Sequence, residues 1–125
     1  MKIAGLFCFL LTLAACSKKS DQPGDLVKPV ITINTPFNGQ VFTAGQSIPI
    51  SGTITDNQYI AEVHIHVSNN LTGTLLMDVH LYPASASTTF NQSITASAGI
   101  EYKIQVIAKD KNVNESNATV LANGN

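Results

Sequence analysis

Residues 101–109, with the sequence EYKIQVIAK, decide the fold class. Apolar and polar side chains alternate along this stretch, and in an extended chain every second side chain lies on the same face. One apolar face and one polar face predict a strand that lies between a core and solvent, which is typical of antiparallel sheets. The residues predicted to face the core are Tyr102, Ile104, Val106 and Ala108.

The same period of two recurs before and after this strand. Gly, Pro and Asn interrupt it at intervals of roughly ten residues, and no stretch after Val30 has a helical period. Seven or so short strands in one domain predict an all-β antiparallel sandwich. The predicted strands cover residues 30–34, 40–43, 48–55, 61–67, 75–82, 88–95, 101–109 and 116–122.

The start of the chain predicts export and lipid anchoring. Lys2 precedes an apolar run, residues 5–14, which is too short to span a bilayer and has the flanks of a signal peptide. The run ends in Leu13-Ala14-Ala15-Cys16, which resembles the lipobox of bacterial lipoproteins. This resemblance implies that residues 1–15 are removed and that Cys16 is acylated. The alternative interpretation is an ordinary secretory signal, cleaved after an Ala-x-Ala-like site, in which Cys16 has no special role.

Cleavage before Cys16 would leave a flexible tether, residues 16–28, and one domain, residues 29–125. The tether is rich in Ser, Lys, Asp, Pro and Gly. Cys8 leaves with the signal, so the mature chain has no cysteine pair for a disulfide and its core depends on packing. The mature chain has six lysines, eight carboxylates and no arginine, a net charge of −2. Because arginine is preferred for phosphate and guanine contacts, we expect no nucleic-acid partner.

Both ends of the domain resemble bacterial immunoglobulin-like domains. The first part carries PVITINTP at residues 29–36 and IPISG at residues 48–52, and the last part carries YKIQVIAKD at residues 102–110, which is also similar to fibronectin type III modules. The resemblance implies an antiparallel immunoglobulin-like β-sandwich of about seven strands. Because the domain lacks the cysteine pair and the tryptophan of antibody domains, the resemblance is to the disulfide-free branch. Tyr102 is placed either as a tyrosine-corner residue or as ordinary core.

The lipobox and the single domain together are similar to small lipoproteins of Bacteroidota, many of which have no assigned function. We expect a non-catalytic binding or accessory module in the cell envelope, on the outer membrane rather than the inner one, facing the periplasm or the surface. Its partner would be an envelope protein or a glycan, with Tyr59 and Tyr82 as the aromatic residues able to stack on a sugar. Catalysis is not expected, because the sequence lacks the common nucleophile, zinc-protease and phosphate-loop motifs.

Three histidines suggest an alternative function, the binding of a transition metal. His64 and His66 lie two residues apart on the polar face of one predicted strand. If the following turn forms a hairpin of the register its length favours, His80 lies opposite His64 and Asp78 opposite His66. Imidazoles and a carboxylate on one face suit Zn²⁺ or Cu²⁺. The other interpretation is an ordinary solvated face, and a slip of one residue would separate the group.

Oxygen-rich side chains form a second candidate site. Asp56 lies in the predicted loop after the second main strand, and Asp110 and Asn112 lie in the loop before the last one. In an immunoglobulin-like topology these loops lie at the same end of the sandwich, where their oxygens could hold Ca²⁺. The simpler interpretation is turn chemistry, since Asp and Asn are favoured in turns for their local hydrogen bonds.

Overall fold

The structure is a computed structural model that describes residues 24–125. The predicted signal peptide, Cys16 and the first part of the tether lie outside the described residues. Within them no helix is long and apolar enough to cross a membrane. The seven strands are β1 (Val30–Thr35), β2 (Gln40–Phe42), β3 (Ser47–Asn69), β4 (Leu75–Leu81), β5 (Ser85–Thr95), β6 (Glu101–Asp110) and β7 (Glu115–Gly124).

Strand β3 organises the fold because it takes part in both layers. Its first half pairs antiparallel with β1 and β5, and its second half pairs antiparallel with β4 and β6. Strand β7 extends the second layer by pairing antiparallel with β6, and β2 pairs parallel with β7. The all-β, immunoglobulin-like sandwich predicted from the sequence is confirmed.

The prediction of two separate strands over residues 48–55 and 61–67 is wrong, because β3 is continuous over 23 residues. Residues 56–59 carry the chain from one layer to the other without reversing it. The Asp56 carboxylate accepts the backbone N–H groups of Gln58 (3.0 Å) and Tyr59 (2.8 Å). The pairing of β3 with β5 shifts register between Thr55 and Ile60. These bonds let an Asp-Asn pair, usually a turn signal, serve as a crossing point instead.

The core lies between the two layers and follows the predicted alternation. All four residues predicted to face inward from β6 are buried, with exposures of 2% or less. They pack with the inward residues of β3 and with Phe90. Leu75 shares the alternation of Met77, Val79 and Leu81 along residues 75–82, which predicts that it faces the core, but it is 56% exposed. An irregularity in pairing after Val67 places Leu75 opposite Ser68 at the end of the hairpin, where no second layer covers it.

Tyr102 is both a core residue and a tyrosine corner. Its side chain is 2% exposed. Its hydroxyl accepts a hydrogen bond from the N–H of Ser97 (2.8 Å) and donates one to the carbonyl of Thr95 (3.4 Å). A bond to the backbone a few residues upstream, at the start of this strand, is the arrangement known from immunoglobulin-like domains. Both interpretations of Tyr102 left open by the sequence are therefore correct.

Candidate functional site

The β3–β4 hairpin brings the three histidines together. His64 lies directly opposite His80, and His66 lies opposite Asp78, as the hairpin register predicted. The intervening β3 residues Val63, Ile65 and Val67 are fully buried, so the pleat directs the imidazoles to the outer face. We name His64, His66, His80 and Asp78 the histidine patch.

The side chains of the histidine patch are close enough to share one ligand. One ligand atom from each of the three histidines lies within 4.8 Å of the others. The rings of His64 and His80 stack, with centroids 4.0 Å apart. Oδ1 of Asp78 lies 3.0 Å from Nε2 of His66 and 2.9 Å from Nε2 of His80. The three histidine side chains are 22–40% exposed, so an ion from solvent can reach them.

Glu62 is a further member of this surface, which the sequence pattern alone did not single out. Its carboxylate accepts a hydrogen bond from Nε2 of His64. That hydrogen bond holds the pKa of Glu62 below its ordinary value, with a smaller contribution from the charge of Lys109. The signal was present in the sequence, since residues 62, 64 and 66 share the outer face of one strand.

The residues of the second candidate site also lie close together, but the group includes a residue that the sequence did not suggest. Asp56 and Asp110 lie close together, and Asp25 joins them, with one carboxylate oxygen from each within 4.8 Å of the others. Asn112 contributes its backbone N–H to Oδ1 of Asp110 (2.8 Å). The side chain of Asn114 donates to Oδ2 of Asp110 (2.6 Å) and to the carbonyl of Asp25 (2.7 Å).

Asp25 fastens the predicted tether to this end of the domain. Its Oδ1 accepts a hydrogen bond from the side chain of Asn57 (3.0 Å). Oδ2 of Asp25 and Oδ1 of Asp56 are buried and have no hydrogen-bond partner among the described residues. The hydrogen bonds that Asp25 accepts from Asn57 and Asn114 therefore join the base of the tether to residues 56–59 of β3 and to the β6–β7 loop. The calcium site that Asp56, Asp110 and Asn112 suggested stays a prediction.

Asp110 is a buried carboxylate that its hydrogen bonds keep ionised. It is 3% exposed, and burial alone would raise its pKa. The hydrogen bonds from the side chain and backbone of Asn114 and from the backbone of Asn112 outweigh this and lower the pKa below its ordinary value. The folded state therefore binds this proton more weakly than the unfolded chain does.

We expect this difference to make the fold sensitive to acid. A carboxyl with a lowered folded pKa stabilises the fold above its unfolded pKa, about 3.9, and that stabilisation is lost as the pH falls through the folded value. The free energy of unfolding should therefore decrease as the pH is lowered from 5 to the most acid pH at which the chain stays folded. Asp110→Asn should flatten this decline, measured by urea denaturation across that range. Glu115→Gln, at an exposed carboxylate 3.5 Å from Lys109, is the control and should leave the slope nearly unchanged. Equal slopes for the parent and Asp110→Asn would contradict the assignment.

The family of the domain follows from its sequence and its fold together. A family model described as bacterial Ig domain matches residues 29–122, which is most of the chain. The chain belongs to this family. Among curated proteins, none matches this bacterial Ig domain.

Solved structures similar to this bacterial Ig domain agree with its fold. A structure of the fibronectin(III)-like modules of Clostridium thermocellum CbhA is 21% identical, with a TM-score of 0.54, over 76% of this chain and 94% of that one. Superoxide reductase (neelaredoxin) from Ignicoccus hospitalis is 13% identical, with a TM-score of 0.52, over 79% of this chain and 81% of that one. OgpA from Akkermansia muciniphila is 12% identical, with a TM-score of 0.52, over 78% of this chain and 28% of that one. At these identities the likeness concerns the fold alone.

Proposed function

We propose that this protein is a lipid-anchored accessory module of the bacterial cell envelope, which binds an envelope protein or a glycan and catalyses no reaction. The observation that carries the proposal is the match of a bacterial Ig domain to residues 29–122, since this domain accounts for almost all of the chain after the predicted lipobox. Such a fold presents strand edges and end loops to partners, while function depends on the residues placed there.

The point at which the tether joins the domain defines which end of the sandwich would lie nearer the membrane. Asp25 is bonded to Asn57 and Asn114, so the chain from the predicted anchor reaches the sandwich at the end that holds Asp110. The β3–β4 turn lies at the other end of the second layer. Strand β3 runs from Ile60, which pairs with Asp110, to Asn69, a distance of about 30 Å at roughly 3.3 Å per residue. In an anchored protein, the β3–β4 turn would point away from the membrane.

Exposed apolar side chains at that far end support a binding role there. Leu71 in the turn is 75% exposed, and Leu75 and Leu76 at the start of β4 are 56% and 40% exposed. Exposed apolar side chains that cluster mark interaction sites, and these three leucines lie within six residues of one hairpin. We name Leu71, Leu75 and Leu76 the distal leucines and propose that they contact the partner.

The anchoring half of the proposal predicts the effect of Cys16→Ser. A serine has no sulfur to form the thioether that would carry the lipid, so the variant should leave the membrane fraction, whereas the parent should sediment with it. Fractionation of cells followed by immunoblotting measures this, and intact-mass analysis of the parent should show added lipid on Cys16. Ser17→Ala is the control and should stay in the membrane. Full membrane retention of Cys16→Ser would contradict lipid anchoring.

The binding half is tested on the same anchored protein by crosslinking in intact cells. A partner crosslinked to the parent should be lost in Leu71→Ser and kept in Val113→Ser. Val113 is a matched control because it is also 75% exposed but lies in the loop near the tether. A partner that both variants retain would place the binding surface elsewhere and contradict the role of the distal leucines.

A further inference from the structure

We infer that the histidine patch binds one divalent transition-metal ion, Zn²⁺ or Cu²⁺, through His64, His66 and His80, with Asp78 as the fourth ligand. The inference rests on the β3–β4 hairpin alone and is independent of lipid anchoring and of the distal leucines.

The backbone under the patch is fixed by packing. The second half of β3 pairs with β4 on one side and with β6 on the other. Its reverse face carries Val63, Ile65 and Val67, all fully buried. The Cα atoms of His64 and His66 are therefore held at both edges and from below, so only side-chain rotations are needed to close a site. A site on rigid strands meets the requirement that ligands be positioned before the metal arrives.

The distances between ligand atoms are near those of a metal site. Nitrogen and oxygen ligands about 2.0–2.1 Å from a tetrahedral ion lie about 3.3–3.4 Å from one another. Asp78 Oδ1 already lies 2.9 Å and 3.0 Å from the Nε2 atoms of His80 and His66. The three histidine ligand atoms, within 4.8 Å of one another, must approach by an ångström or so. Small rotations of these partly exposed side chains would supply that shift.

Glu62 positions the imidazole ring of His64. Metal-binding histidines commonly give their other ring nitrogen to a carboxylate, which fixes the tautomer and the orientation of the ring. The Nε2 of His64 is bonded to Glu62, which leaves Nδ1 of His64 as the nitrogen available to an ion. Glu62 therefore holds His64 without needing to touch the metal.

The composition of the patch selects the kind of ion. Imidazole suits Zn²⁺ and Cu²⁺, whereas Ca²⁺ and Mg²⁺ prefer sites built from oxygen ligands alone. Lys109 is the lysine opposite Glu62, and its ammonium group forms an ion pair outside the histidine patch. The backbone of Lys109 on β6 lies opposite that of Glu62 on β3, but the ammonium group of Lys109 lies 3.5 Å from the carboxylate of Glu115 on β7. The carboxylate of Asp78 lies within hydrogen-bond distance of two imidazoles, those of His66 and His80.

Calorimetric titration of the full chain tests the inference. The chain is purified in detergent through an affinity tag without histidine and titrated with ZnCl₂, then separately with CuCl₂. We expect one ion per chain. His66→Ala and His80→Ala should each weaken the binding at least tenfold, and Glu62→Gln should weaken it by about tenfold, as orienting carboxylates do elsewhere. A large excess of Ca²⁺ or Mg²⁺ should not displace the bound ion.

Two controls separate metal binding from general effects on the fold. Thr119→Ala removes an exposed side chain from the same face, two strands away from His66, and should bind like the parent. Circular dichroism of each histidine variant should show the parent's β-spectrum, and His66→Asn replaces His66→Ala if that variant misfolds. The inference is overturned if neither ion binds the parent, or if a folded His66→Ala/His80→Ala double variant binds as tightly as the parent.

Discussion

Gly52→Ala is expected to lower the free energy of unfolding by about 3 kcal/mol or more, at the upper end of the cost of overpacking. Gly52 lies in the first half of β3, between Ile33 of β1 and Phe90 of β5. A Cβ atom there would be 2.0 Å from the carbonyl oxygen of Thr32 and 2.5 Å from Cζ of Phe90. The Phe90 ring could turn aside, but the Thr32 carbonyl belongs to the backbone of β1. The methyl group can be accommodated only if β1 and β3 separate.

Two comparisons distinguish this crowding from the ordinary cost of replacing a glycine. Gly39 has a φ of +84°, and a Cβ atom added there would have no neighbour within 4 Å, so Gly39→Ala should cost only backbone strain, about 1–2 kcal/mol. Adding Phe90→Leu to Gly52→Ala should not restore stability, because the contact with Thr32 remains. Urea denaturation followed by circular dichroism measures all three variants. A cost for Gly52→Ala no larger than that for Gly39→Ala would contradict the close approach of β1.

The sequence predicted most of the strands because alternation is a local property of the chain. It failed where a nonlocal contact decides the structure. Residues 56–59 carry the composition of a turn, and only the pairing partners on either side show that β3 continues through them. Leu75 continues the alternation of β4, yet the irregular pairing after Val67 places it beyond the covered part of the layer.

The same contrast between local and nonlocal contacts separates the two candidate sites. The sequence could place the first but not the second. The histidine patch depends on one hairpin, whose register follows from the length of its turn, so His64, His66, His80 and Asp78 could be placed from the sequence. Asp25 lies in the predicted tether, and its hydrogen-bond partner Asn57 lies 32 residues further along the chain. No period or motif connects such residues, and only the folded chain brings them together.

The two faces of β3 should respond in opposite ways to mutation. Ile65 is fully buried, and Ile65→Ala is expected to lower the free energy of unfolding by about 2–5 kcal/mol, through lost burial and the cavity left behind. His66 is the next residue, with its side chain 33% exposed on the outer face. His66→Ala removes a partly exposed contact with Asp78 and should cost less than about 1 kcal/mol.

Urea denaturation of the metal-free chain measures both variants of this pair, with Ile104→Ala as a second core substitution on the neighbouring strand. A cost below about 1 kcal/mol at both Ile65 and Ile104 would mean that the inward face has been assigned wrongly. A cost for His66→Ala as large as that for Ile65→Ala would mean that the contact between His66 and Asp78 stabilises the hairpin. The expected contrast would instead show that the buried face fixes the strand while the histidines add little to its stability. The imidazoles could then be removed one at a time from a folded chain, as a test of metal binding requires.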